Sequence, residues 1–301
     1  MTFEFGDTDE SKAFFDRNPS FLSSFENLMV TANKCFGRRV QFKNLLEDVV
    51  FSQGHTCRDD YTEVVFLAVS GYANAAAKIF RGLYERAVTL AYIGDSTDLA
   101  RRFHRFSSIQ AHRAMEHALK LFTEEQFEKV AGSGTIARFR EWYKQRKPEF
   151  QTTLCKECGT TRTQSSWDID FTSMVQKAGE PYLMYFLNGY SMPTLHIHAT
   201  MTSGFDGQDR EDATNIQNRR RESDITLYTA TCIFILVMRM QSKVFSLALD
   251  AELDACEKAL EPWEAELQAA SAIALFPERV DDTQHPVPPV LEDGEPTKSR
   301  E

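Results

Sequence analysis

Apolar and polar positions alternate with helical period along most of the chain, and the pattern is densest from Tyr61 to Ile93. That stretch is apolar on nearly every side, which suits a helix inside a bundle. One stripe interrupts it. Asn74, Lys78, Arg81 and Glu85 follow one another at spacings of four, three and four, so they share one helical face. A buried charge is costly unless it is paired. The stripe is therefore either a solvated edge carrying a surface ion pair or a polar site built into a core.

The same periodicity predicts the other elements. A first helix opens near Asn18-Pro19-Ser20 and runs to about residue 51, with Pro19 in its first turn and Ser20 or Asn18 as cap. Residues 52–60, SQGHTCRDD, read as a loop. The central helix follows from about 60 to 93, bent at Gly71, and Gly94-Asp95-Ser96-Thr97 ends it and caps the next. A long helix covers about 98–122. Thr123-Glu124-Glu125-Gln126 has the pattern of a capping box and starts another, which stops at Gly132-Ser133-Gly134. Residues 135–147 form the next, and the polar stretch 151–166 reads as a loop. Two short helices are expected near 168–178 and 181–190, with the chain broken around Pro193. Long helices at about 219–249 and 250–275 complete the set, the last bent or broken near Pro262.

Strand patterns are scarce and no repeat is visible. The expected fold is all-α: a single bundle of long helices over residues 18–276, with an irregular insertion at about 150–215. An acidic segment, 1–17, precedes it. A tail rich in Pro, Asp and Glu, 277–301, follows and is expected to be disordered.

Charge sharpens this picture. The net charge is −10, but residues 1–16 carry five acids against one base and residues 277–301 seven acids against three bases. The body is nearly neutral, which gives no strong electrostatic case for nucleic acid beyond a local basic patch. The start of the chain is acidic and lacks an apolar run, so no signal peptide is read there. The longest apolar run, Leu227 to Met238, is about half the roughly 20 residues a bilayer needs and reads as the middle of a buried helix. No membrane association is expected. The six cysteines are expected to be reduced, Cys232 as a core thiol, in a cytoplasmic protein.

Four groups could carry chemistry. In the central stripe, Arg81 and Glu85 can pair one turn apart, with Asn74 and Lys78 extending the row, to bind an anionic group or orient a histidine. In Tyr190-Ser191-Met192-Pro193-Thr194-Leu195-His196-Ile197-His198, two histidines stand two apart beside a proline, and histidine exchanges protons near neutral pH. The plain alternative is one packing histidine and one exposed. Cys155-Lys156-Glu157-Cys158 has half of a zinc-knuckle spacing, and His196 and His198 are its only evident complement; without them no cofactor is expected. Finally, Arg101, Arg105, Ser108 and His112 share a helical face near Arg102 and Arg113. With Arg219-Arg220-Arg221 they form the main basic clusters, solvated faces or contacts to a phosphate backbone. There is no Glu-x-x-His, no His-Glu-x-x-His, no phosphate-binding glycine loop and no Gly-x-Ser-x-Gly.

Arg81-Gly82-Leu83-Tyr84-Glu85, then Tyr92-Ile93, Phe103, Trp167 and Tyr190-Ser191 leading to His196, resemble a bacterial all-helical family of unknown function over about residues 60–245. The layout is also similar, more distantly, to the HEPN helical bundles, many of which are metal-independent ribonucleases of defence and toxin–antitoxin systems. Their signature is an Arg, then four to six residues, then a His. His196 matches the His, while positions 189–191 are Gly, Tyr and Ser, so Arg81 would supply the guanidinium from another helix.

That resemblance implies an RNA-cleaving bundle, dimeric or with a protein partner. His196 would move the proton, Arg81 would stabilise phosphate charge, and Glu85 would orient either of them. Asn74, Lys78, Tyr190 and His198 would contact substrate. The competing expectation is a non-enzymatic scaffold or sensor in which Arg81, Glu85 and His196 form a buried polar network that sets helix register.

Overall fold

Three helices, α3 (Leu45–Val69), α4 (Ala73–Ile93) and α11 (Ala213–Phe245), pack on one another and hold most of the core. Their contact faces are apolar: Val50, Cys57, Tyr61 and Val64 from α3, Phe80, Leu83 and Tyr84 from α4, Leu227, Ile233 and Phe234 from α11. The Tyr61 ring stacks on Phe234 at 4.7 Å between centroids. These details come from a computed structural model that describes residues 8–154, 158–197 and 213–270. The expected acidic tail and the end of the last predicted helix fall outside the described residues.

The other helices surround this centre. They are α1 (Thr8–Arg17), α2 (Phe21–Phe36), α5 (Thr97–Ala118), α6 (Glu124–Ala131), α7 (Thr135–Arg146), α8 (Phe171–Ala178), α9 (Glu180–Phe186), α10 (Met192–Ile197) and α12 (Asp250–Ala269). Helices α2 and α12 close one side against α11, while α8 and α10 cover α4. Helices α5 to α7 form an arm, joined to α8 by an antiparallel hairpin of β1 (Gln151–Thr153) and β2 (Thr161–Thr163). The fold is all-α apart from that hairpin, among the described residues. Pro262 lies inside α12 rather than ending it.

Several boundaries follow the sequence. Thr123 and Gln126 make the reciprocal capping box at the start of α6. The Ser96 side chain accepts the Leu99 N–H at the start of α5. Leu227 to Met238 is buried over most of its length, as expected. The span Ile216–Phe245 is long and apolar enough to cross a bilayer, but 67 % of its most apolar window is buried inside the bundle. The five described cysteines are free thiols; Cys232 is only partly buried.

Three expectations are corrected. The predicted first helix is interrupted at residues 37–44, where Asn44 caps α3 by accepting the Glu47 N–H. The predicted loop at 52–60 is helical throughout. Buried positions there run Val50, Gly54, Cys57, Tyr61, Val64 and Ala68, an unbroken helical stripe in which Gly54 stands where a side chain would be. A Cβ on Gly54 would lie 2.1 Å from Gln241 Nε2, whose amide donates to the Val50 carbonyl. The stripe therefore continues through a residue that carries no apolar signal. Third, the central helix does not bend at Gly71 but stops: Ser70-Gly71-Tyr72 separates α3 from α4, with Gly71 at φ +81°.

Candidate functional site

Helix α4 is set by its apolar faces, which leaves the Asn74–Glu85 stripe to face the α9–α10 segment and α11. The Arg81 Nε donates to Glu85 Oε1 at 2.8 Å. The Arg81 side chain is 17 % exposed and that of Glu85 40 %, so the pair is neither a free surface contact nor a sealed one. Lys78 points to solvent. Asn74 lines a recess of about 150 Å³ with Asn188, Met192, Pro193, Glu222 and Ile225. That recess is smaller than the roughly 300 Å³ of an ordinary small-molecule pocket. The stripe forms one wall of a half-buried groove.

The opposite wall is the segment expected to be broken around Pro193. As far as Ile197, where the described residues stop, it is helical instead, with a π turn (Leu187–Ser191) between α9 and α10. The Met192 N–H reaches back five residues to the Leu187 carbonyl. The wider turn ends just before Pro193, which has no N–H to give a helix. Single π turns inside helices recur at functional sites. Here the turn brings Tyr190 over Arg81, with the guanidinium carbon 4.7 Å from the ring centroid. Phe171 at 4.6 Å and Phe186 at 5.4 Å hold the ring. Below it Gly189 sits on Tyr84, where a Cβ would come within 2.6 Å of the Tyr84 ring. The Tyr84 hydroxyl donates to the Tyr182 carbonyl at 2.7 Å, and burial pushes its pKa up.

The structure thus brings Arg81, Glu85 and Tyr190 together, with Asn74 farther along the groove. His196 lies on α10, which packs against α4; the placement of its imidazole is not among the described features. His198 and Cys155 lie outside the described residues. Cys158 is exposed, with Sγ 2.9 Å from Thr160 Oγ1. Among the described residues no group of three or more His, Cys, Asp or Glu could hold a metal ion.

The basic face of α5 serves the protein's own packing. Arg102 Nη2 donates to Gln164 Oε1 at 2.7 Å, and Arg113 Nη2 to the Gln164 carbonyl at 2.5 Å. Arg105 pairs with Glu149 at 3.1 Å and Arg101 with Asp98. His112 stacks on Tyr143 at 3.8 Å, and burial lowers its pKa. Arg102 and Arg113 thus tie the end of the hairpin to the arm, which disfavours a phosphate-tracking role for those two.

Two polar pairs escaped the sequence reading. Arg86 Nη1 donates to Asp60 Oδ2 at 2.6 Å across α3 and α4. Burial raises the Asp60 pKa to about 6 in spite of Arg86. Tyr92 donates to Asp168 Oδ2 at 2.5 Å, beside Arg102, whose Nε lies 3.2 Å from Asp168 Oδ1. Desolvation and Asp168 push the Tyr92 pKa up to about 12. The partners are 26 and 76 residues apart, so no local spacing announces them. Tyr92 and Phe103 both pack on Trp167, at 5.6 and 5.4 Å. The resemblance residues therefore form two clusters, one polar at Arg81 and one aromatic at Trp167.

Residues 56–213 match a single family, and they contain the stripe, the π turn and α10. No curated protein and no solved structure matches the chain. The match spans just over half of the 301 residues, and the chain belongs to the family of unknown function DUF5677.

Proposed function

We propose that the groove between α4 and the α9–α10 segment is a metal-independent, HEPN-like RNA-cleaving centre, working as a dimer or with a protein partner in a defence or toxin–antitoxin setting. One observation carries the reading: Arg81 is clamped by Glu85 and Tyr190 against the segment that continues into the helix bearing His196. The Nε bond to Glu85 leaves the terminal guanidinium nitrogens to meet two non-bridging phosphate oxygens. His196 takes the proton of a ribose 2′-OH, the 2′-oxygen attacks phosphorus, and the bond from phosphorus to the 5′-oxygen breaks as that oxygen takes a proton from water, giving a 2′,3′-cyclic phosphate. Lys78 and Asn74 contact the backbone farther along α4 from Arg81. A small recess in an open groove suits a polymer better than an enclosed metabolite.

The test is cleavage of single-stranded RNA by the purified chain with chelator present. Wild type should cleave, and His196→Ala and Arg81→Ala should each lose about 10²-fold or more in rate. Wild-type inactivity, or equal rates in all three folded proteins, would sink the proposal.

A second reading, a non-enzymatic scaffold or sensor, is favoured by a different feature of the same contact. Arg81 is already engaged on both sides, by Glu85 and by Tyr190, and so staples the π turn to α4. On this reading Arg81→Ala lowers the melting temperature by several degrees and there is no cleavage to lose. An unchanged melting temperature would count against it.

A further inference from the structure

At the N-terminal end of α11 two adjoining cavities of about 290 and 580 Å³ share Arg17, Ile216 and Arg220 as walls, and Ile225 of the larger also borders the Asn74 recess. Together they fall in the size range of small-molecule sites. The smaller is polar: Ser70 and Ser223 come from the end of α3 and from α11, with Arg219 and Arg220 beside them. The larger has an apolar side made by Ile225, Leu267 and Ala270, facing Arg221. Across both cavities four guanidiniums stand against two carboxylates, Glu10 and Asp224. Arg17 Nη2 and Nε donate to Asp224 at 3.2 and 3.1 Å, and Arg220 Nε donates to Glu10 at 2.8 Å. Those pairs fix two of the guanidiniums at the wall in a chain whose net charge is −10.

The decisive detail is an orphaned donor at each cavity, Ser223 at the smaller and Arg221 at the larger. Ser223 is 1 % exposed and its Oγ has no hydrogen-bond partner among the described residues. The Nε of Arg221 is likewise buried and unpartnered. Buried polar atoms are satisfied in the great majority of cases, by protein, by water or by a bound group. A guanidinium can only donate and a hydroxyl can donate, so a ligand that met both would be rich in acceptors. An anionic head beside an apolar wall describes an amphipathic ligand.

We propose that these cavities bind an organic phosphate, its phosphoryl oxygens taken by Ser223 and the α11 arginines and its apolar body lying against Ile225 and Leu267. Most of these residues lie outside the matched span 56–213, so the site is a property of this chain beyond the groove at Arg81.

The probe is octyl phosphate, titrated calorimetrically into the full chain beside inorganic phosphate and octanoate. Saturable binding is expected, at least about tenfold tighter than inorganic phosphate because the alkyl chain is buried. Ser223→Ala and Arg221→Gln should each weaken it about tenfold. Ser223→Ala removes an oxygen with no partner in the fold, so it decides the matter even if Arg221→Gln does not fold. No saturable binding, unchanged affinity in folded Ser223→Ala, or tighter binding of octanoate than of octyl phosphate overturns the proposal. Binding is read without RNA, so the outcome is separate from that of the cleavage assay.

Discussion

At the scale of single residues, close approach and burial decide more than side-chain type. Gly189 is required because Tyr84 occupies the space of its Cβ at 2.6 Å, and Tyr84 is fully buried and anchored through its hydroxyl. Gly189→Ala should therefore cost about 1–2 kcal/mol net of alanine's better helix propensity, read as a lower urea midpoint. An unchanged midpoint would mean that the π turn yields. Asp60 makes a pH prediction. Its pKa rises from 3.8 to about 6 on folding, so the native state holds the proton more tightly than the unfolded chain. The contribution is fully present below about pH 4 and is lost as pH rises through 6, a loss on the order of 2 kcal/mol. Denaturation of wild type and Asp60→Asn at several pH values should show the difference between them changing in that window and flat above it. The neighbours Asp59 and Glu63 push the same way, but the burial that dominates comes from helix packing that the local sequence does not show.

At the scale of elements, caps were legible and continuity was not. Thr123 and Ser96 announce their helices because a cap is a contact between residues three apart. Residues 52–60 read as a loop because Gly54 and Cys57 carry little apolar signal, although both face the core. The hairpin was missed because its strands are three residues long and polar. It is held by arginines that the sequence offers equally well as a phosphate-binding face. Arg113→Ala removes donors to the carbonyls of Thr163 and Gln164. It should cost about 1–2 kcal/mol and speed amide exchange in residues 151–165 while leaving RNA affinity as it was. Weakened RNA binding with unchanged exchange would return α5 to the list of nucleic-acid contacts.

At the scale of the whole molecule, one buried polar junction joins the ends of the chain. Asn18, 1 % exposed, accepts the Trp263 indole N–H at 2.8 Å and donates to Asp224 at 3.3 Å, which Arg17 also holds. The acidic N-terminal segment thus contributes α1 to the bundle, and Phe14 is buried with it. Asn18→Ala strands the indole N–H and takes one of three donors from the Asp224 carboxylate, so calorimetry should show a single transition lowered by several degrees, equivalent to about 2 kcal/mol. A shift below one degree would mean that water replaces the amide. The sequence by itself determined the all-α class, the buried middle of α11, the caps at Ser96 and Thr123 and the polar stripe of α4, because each is written in spacings of three or four residues. Only the tertiary structure decided that α3 and α4 part at Gly71, that a π turn faces the stripe, and that Tyr190, 109 positions on, covers Arg81. Those outcomes depend on which helices lie side by side, and that is settled by packing the apolar faces of the whole chain at once.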